Sequence, residues 1–315
     1  MRGARTIRRG GDGWPPSLDR LPRPPAFLRV KGALPSAGER AVAVVGSRRP
    51  DEAGARLARR LGAALARAGL WVVSGGAAGV DGAAHRGVLD AGGRTAIVLG
   101  GGLDHLYPAG HRALFARAVE GGGGLLAERE DGERPTTWSF PERNRIIAAL
   151  SEAVVVVRAG EGSGALLTAE WARRLRRTVF AAAPEGPPEV TAGLVTLVGL
   201  PGTGASVFRE PEDLLAALRP AGCAPGNAPA GAGAEADGDA PGATATGSEV
   251  AWAGGGLAGA AAALWRALGP GPLLADEAAR AAGLAAGAAA AGLVELELRG
   301  LADRLPGNRY ARRDA

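Results

Sequence analysis

Two short stretches combine residue types that grip phosphates: Gly46-Ser47-Arg48-Arg49-Pro50 and Phe140-Pro141-Glu142-Arg143-Asn144-Arg145. An arginine guanidinium is a planar fork of donors that matches phosphate oxygens. A phenylalanine ring stacks on an unpaired base. The Asn144 amide can bond a base edge or fix a loop. Such a set holds a polyanion rather than turning over a substrate. The second stretch also reads as a helix start with solvated charges and a buried ring, and residue types alone leave both readings open.

The residues for several common chemistries are missing. A phosphate-binding loop of the Walker type needs a lysine, and the only lysine, Lys31, precedes the first long strand. The first loop is not G-x-G-x-x-G, and Ser74 stands where a dinucleotide site places its ribose-binding acid. His85, His105 and His111 lack metal-site spacing, and His85 reads as a helix-packing residue. Ser74 and Ser163 lack a nucleophile elbow. Asp81, just after Gly79, reads as a structural cap. The one cysteine, Cys223, forms no disulfide framework, which fits a reducing cytoplasm. These absences predict a protein without cofactor, metal or catalytic residues.

The elements that must position the arginines repeat a rhythm. Val42–Val45 is an apolar run ending at Gly46-Ser47-Arg48, and a helix follows near 51–68. In this reading Gly46 lets backbone approach a ligand, Ser47 caps the helix, and its free N–H groups lie beside Arg48 and Arg49. Trp71–Ser74 leads through Gly75-Gly76 to a helix over 80–90, and Thr95–Leu99 ends at Gly100-Gly101-Gly102. Helices are predicted near 111–120, 143–150 and 166–175, and strands at 125–127, 153–157 and 178–181, the last closing the series. Strands apolar on both faces and alternating with helices predict a doubly wound parallel sheet. Ligands of such sheets bind at the carboxyl ends of strands, here at Gly46–Arg48, Ser74–Gly76, Gly100–Gly102 and Gly160–Gly164.

The formal charge of +5 over 315 residues is unevenly spread. Residues 1–40 carry nine basic and three acidic side chains, whereas 41–218 carry 20 and 19. A polyanion site in the main domain must therefore be a local cluster of arginines. The proline-dense 1–40 reads as an extended segment packing over the core. Residues 219–257, mostly Ala, Gly and Pro, read as a linker. Residues 258–315 read as three short helices and a hairpin, a small winged helix. No charge-free apolar stretch reaches membrane-spanning length and no signal core follows the basic start, so neither membrane nor export is expected.

In order from Trp14 to Tyr310 the chain resembles the DNA-processing protein A family (DprA, or Smf). The resemblance rests on Trp14–Leu18 with Pro25–Gly32, Val44–Arg48, Ser74–His85, Val98–Asp104 with Tyr107-Pro108, Phe140–Ile147, Ser163–Glu170 and the C-terminal winged helix. It implies an extended Rossmann-like domain that binds single-stranded DNA, dimerises and helps load the RecA recombinase in natural transformation. The DNA-binding set is then Gly46, Ser47, Arg48, Ser74, Gly75, Gly76, Phe140, Arg143, Asn144, Arg145, Ser163 and Gly164, with Arg48, Arg143 and Arg145 on phosphates and Phe140 stacking. The chain departs from the family pattern at Arg158, where an acid is usual, and over 183–195, which bears on loop geometry near 183–204. The helical domain that often precedes the sheet has little room here. A second function class is a nucleotide-processing enzyme of the phosphoribohydrolase type, which would need Pro-Gly-Gly-x-Gly-Thr where this chain has Gly160-Glu161-Gly162-Ser163-Gly164.

Overall fold

Ile7 is the one buried residue of β1 (Arg5–Arg8), and Leu28 and Val30 are those of β2 (Phe27–Gly32), so these two strands can occupy the charged rim of a sheet. The computed structural model describes residues 3–199, 205–219, 259–269, 271–305 and 307–313. Strand β3 (Ala41–Val45) is buried at every position, which is why its run never alternates to polar. It is followed by α1 (Glu52–Arg67), β4 (Trp71–Ser74), α2 (Val80–Asp90), β5 (Thr95–Val98), α3 (Arg112–Glu120) and β6 (Gly124–Ala127). Then come α4 (Ser139–Ala149), β7 (Ala153–Val156), α5 (Gly164–Arg174), β8 (Thr178–Ala182), α6 (Pro188–Gly199), β9 (Ser206–Phe208) and α7 (Pro211–Ala217).

The nine strands lie in the order β1-β2-β6-β5-β4-β3-β7-β8-β9, parallel from β6 to β9 and antiparallel at β1 and β2. The chain leaves β3 towards β4, β5 and β6, then crosses back to β7 on the other side. The switch point therefore lies between β3 and β7, and a crevice opens past their carboxyl ends. Two apolar clusters cover the sheet faces. One gathers Ala43, Val73, Ile146, Val154 and Trp171, the other Val44, Leu61, Val72, Val155 and Leu214.

Three expectations change. Residues 1–40 are not only a wrap, because β1 and β2 extend the sheet itself through pairing with β6. The sheet does not close at β8, since β9 adds a ninth strand, and α6 occupies part of the segment in which the sequence departs from the family pattern. Ser47 is not the cap of α1: Asp51 accepts from Gly54 N at 3.0 Å, while Ser47 Oγ accepts from Arg49 N at 3.0 Å within its own turn.

The C-terminal unit comprises α8 (Gly259–Ala267), β10 (Leu273–Leu274), α9 (Ala275–Ala281), α10 (Ala286–Leu298), β11 (Ala302–Leu305) and β12 (Arg309–Arg312), with strand order β10-β12-β11. Leu264, Ala278, Leu293 and Tyr310 form its core. Helix α10 lies against α4 and α5, and Val294 joins the main core. The expected linker lies almost wholly outside the described residues. Among the described residues no single helix is long and apolar enough to cross a membrane.

His85 on α2 is fully buried, as a packing residue would be. Thr95 Oγ1 donates to Val72 O at 2.7 Å and so accepts from His85 Nδ1–H at 2.7 Å, which leaves Nε2 a buried acceptor without a partner. Burial pulls the imidazole from its ordinary 6.5 down to about 3, helped by the charges of His111, Arg143 and Arg86. The unfolded chain therefore binds this proton first. The stability contributed by neutral His85 is fully present above pH 6.5 and is lost as pH falls towards 3. Thermal denaturation across that range should show a flatter pH dependence for His85→Gln than for the unsubstituted protein; parallel curves would exclude His85 as the titrating group.

Candidate nucleic-acid interface

The strand ends at the switch point carry loops whose shape is set by close packing. A Cβ on Gly75 would sit 2.0 Å from the Arg143 guanidinium, and one on Gly79, at φ +81°, would sit 2.3 Å from Ser47 O. Only glycine allows the loop after β4 to lie between the loop after β3 and helix α4. Asp81, in the first turn of α2, accepts from Gly75 N at 3.2 Å and Ala77 N at 3.3 Å, so it organises this loop rather than capping its helix. Burial pushes its carboxyl upward against the pull of Arg143 and these donors.

Two hollows share the walls Arg48, Ala77, Phe140 and Arg143. The smaller lies towards Tyr107, Pro108 and Ala78; the larger is an open cleft between the Gly46–Arg48 loop and the Gly160–Gly164 loop. Arg48 is exposed, and its guanidinium stands 5.2 Å from the centre of the Phe140 ring. Phe140 in turn packs on Tyr107, with centroids 5.4 Å apart at 48°. Tyr107 is 54% exposed, the signature of a ring offered to solvent rather than to the core. An arginine and two rings in series at a cleft rim can stack bases and meet phosphates. Across the cleft Ser163 caps α5, accepting from Ala165 N at 3.3 Å, and exposed Gly164 leaves the helix start open. Glu161 and Glu189 also line the cleft, so its positive face is the Arg48 side.

The other expected site residues divide. Arg145 is not a free cation: Nη2 donates to both Glu128 carboxylate oxygens, at 2.5 and 2.6 Å, in a largely buried pair. Arg143 lines both hollows, yet its Nη1 donates to Gly75 O at 2.5 Å and to Val98 O, and burial pulls its pKa from 12.5 down to about 10. It props the glycine loop and charges the floor. The Asn144 amide donates to Gly164 O at 3.0 Å, fastening that loop from the cleft wall. Ser74 is fully buried and donates to Val44 O at 2.6 Å, so its hydroxyl does not face a ligand, and Gly76 packs on Ile97 and Phe115. Gly46 lines the open cleft, and a Cβ there would meet Val80 and Arg158 O. The start of α1 is not the anion site, because Asp51 caps it and pairs with the buried Arg158 at 2.9 Å. Gly46, Ser47, Arg48, Phe140, Arg143, Asn144, Ser163 and Gly164 all line the open cleft.

Sequence reasoning missed Tyr107 as a site residue, although Tyr107-Pro108 was visible as a motif. It also missed Gly287 and Ala291 of α10, which wall the cleft from the C-terminal unit. Their small side chains carried no signal.

A doubly wound parallel sheet with an arginine and aromatic cleft at its switch point, followed by a winged helix, defines a Rossmann-like α/β protein. Residues 5–219 match the family DNA recombination-mediator protein A and residues 253–308 the DprA winged helix domain, and the chain belongs to that family. It is 40% identical over 209 residues to Protein Smf of Synechocystis, covering 65% of this chain and 52% of that protein. It is 44% identical over 182 residues to a putative DNA processing protein DprA of Mycobacterium tuberculosis, covering 58% and 46%. The chain thus spans about half the length of these curated relatives. The crystal structure of DNA processing protein A from Streptococcus pneumoniae superposes with a TM-score of 0.62 at 35% identity, covering 67% of this chain and 73% of that one. DNA processing protein A from Helicobacter pylori, whose structure concerns its single-stranded DNA binding mode, gives 0.59 at 26% identity, covering 68% and 95%.

Proposed function

We propose that this chain is a single-stranded DNA-binding protein of recombination, without enzymatic activity, that protects incoming strands and hands them to the RecA recombinase in natural transformation. The observation that carries this reading is the Arg48–Phe140–Tyr107 series at the rim of a glycine-loop cleft, the combination of cation and stacking rings that a flexible strand with unpaired bases requires. The RecA partner and the homodimer follow from the family resemblance, and the cytoplasmic location from the single cysteine, Cys223. Light scattering should return a dimer mass at micromolar concentration; a monomer that still binds strands would remove the dimer from the account.

Arg48 is exposed and stacks on a ring, whereas Arg145 is tied to Glu128, so their substitutions should separate. Arg48→Ala should reduce the slope of log affinity against log salt by roughly 0.7, the share of one single-strand phosphate. Arg145→Ala should leave the slope where it was. A salt series on both variants tests the site directly, and an unchanged slope for Arg48→Ala would take Arg48 out of phosphate contact. The phosphoribohydrolase reading predicts free base on incubation with nucleoside monophosphates, and the present reading predicts none.

A further inference from the structure

The cleft has a wall that the strand-binding loops do not supply. Gly287 and Ala291 face it from α10, opposite Ser47 and Arg48. In a winged helix the corresponding helix often reads a DNA groove. Here α10 runs Ala286–Leu298 with Glu295 and Glu297 and no basic residue, and it is turned inward against α4 and α5. It is a docking helix.

Contacts from α9 and β11 of the same unit converge on the turn of α4 that carries Phe140. Trp138 Nε1 donates to Asp276 at 3.2 Å, and the Trp138 ring packs on the core of the winged unit. Glu142 pairs with Arg304, with side chains 20% and 22% exposed, and with Arg129 at 3.2 Å. Trp138 and Glu142 thus flank Phe140 at two residues on either side, and the Trp138 side chain makes no cap hydrogen bond to α4. Farther from the cleft, Arg23 pairs with Glu297 and donates to Arg304 O at 3.3 Å, and Arg174 donates to Glu297 O at 3.4 Å.

We infer that Trp138 and Glu142 are positioning residues through which the docked winged-helix domain holds Phe140 in its strand-binding pose, so that domain docking and single-strand binding favour each other. This rests on the binding reading above. The coupling is reciprocal by thermodynamic necessity: docking tightens strand binding by the same factor by which a bound strand tightens docking.

The Arg23–Glu297 pair tests it, because it lies in the docking interface and outside the cleft lining. Affinity of the full chain for a single-stranded oligonucleotide is measured for the unsubstituted protein, Arg23→Glu, Glu297→Arg and the double variant, with thermal denaturation as a folding check. Each single reversal should weaken binding about three- to eightfold, and the double variant should recover to within about twofold. Glu297→Arg is the sharper arm: it adds positive charge, so a general electrostatic effect would strengthen binding, whereas lost docking weakens it. Singles within about twofold of the unsubstituted protein, opposite signs for the two singles, or no recovery in the double variant would overturn the inference. Failure of the unsubstituted protein to bind the oligonucleotide would instead overturn the binding reading on which the inference stands.

Discussion

Phe140→Ala is expected to weaken single-strand binding by about 1–3 kcal/mol, roughly 5- to 150-fold, while leaving the salt dependence nearly unchanged. Stacking a base on a ring removes apolar faces from water and releases no condensed ions. Phosphate contacts do release them, so the two kinds of contact separate on a salt axis. The ring stands in a series open to a base: it is half-buried, with the Tyr107 ring 5.4 Å away and the Arg48 guanidinium 5.2 Å from its centre. Tyr107 survives the substitution and retains part of the platform, so the loss should be smaller than for removing both rings. Affinities of Phe140→Ala and Phe140→Tyr across a salt series provide the check. The tyrosine variant should retain most of the affinity, and an alanine variant that binds as tightly as the unsubstituted protein would return the ring to the core.

Arg143→Met should act by a different route, through stability, at about 3–5 kcal/mol. Its guanidinium donates to the carbonyls of Gly75 and Val98, and its charge is the counterpart of the buried Asp81 carboxylate. A methionine of similar length leaves both carbonyls without these donors and Asp81 with backbone donors alone, each a buried polar group with less than its share of partners. The glycine loop after β4 should loosen, so strand binding falls together with the midpoint of chemical denaturation. Because Asp81 and Arg143 answer each other, Asp81→Asn combined with Arg143→Met should be less destabilising than the sum of the single changes. An Arg143→Met protein of unchanged stability and reduced salt slope would instead make Arg143 a phosphate contact.

The sheet was largely legible because its strands are buried on both faces. Runs such as Val42–Val45 and Ala153–Val157 have no polar alternation, and the glycines after them mark the carboxyl ends where a ligand sits. The elements that escaped were those with mixed patterns. Arg5–Arg8 buries only Ile7, Ser206–Phe208 buries only Phe208, and both are edge strands whose placement depends on neighbours distant in sequence. The site was legible as a neighbourhood but not in its roles. Arg48, Arg143 and Arg145 are one residue type. What separates an exposed cation from a loop prop and a buried pair is the reach of Gly75 O and the position of Glu128, 17 residues before Arg145. Asn144 had two open uses, and the nearness of Gly164 O shows the loop-fastening one, which no local pattern marks. Tyr107 carried no charge and no periodic signal; only the fold brings it to Phe140.

In the proposed function the cleft between the Gly46–Arg48 and Gly160–Gly164 loops takes a strand with unpaired bases. Equilibrium titration of this chain with a single-stranded oligonucleotide, and with the duplex of the same length and sequence, decides whether it does. At one fixed salt concentration the single strand should bind at least about tenfold more tightly, because the duplex keeps its base faces stacked within itself and away from Phe140 and Tyr107. Equal or tighter binding of the duplex, or no binding of the single strand, would contradict it.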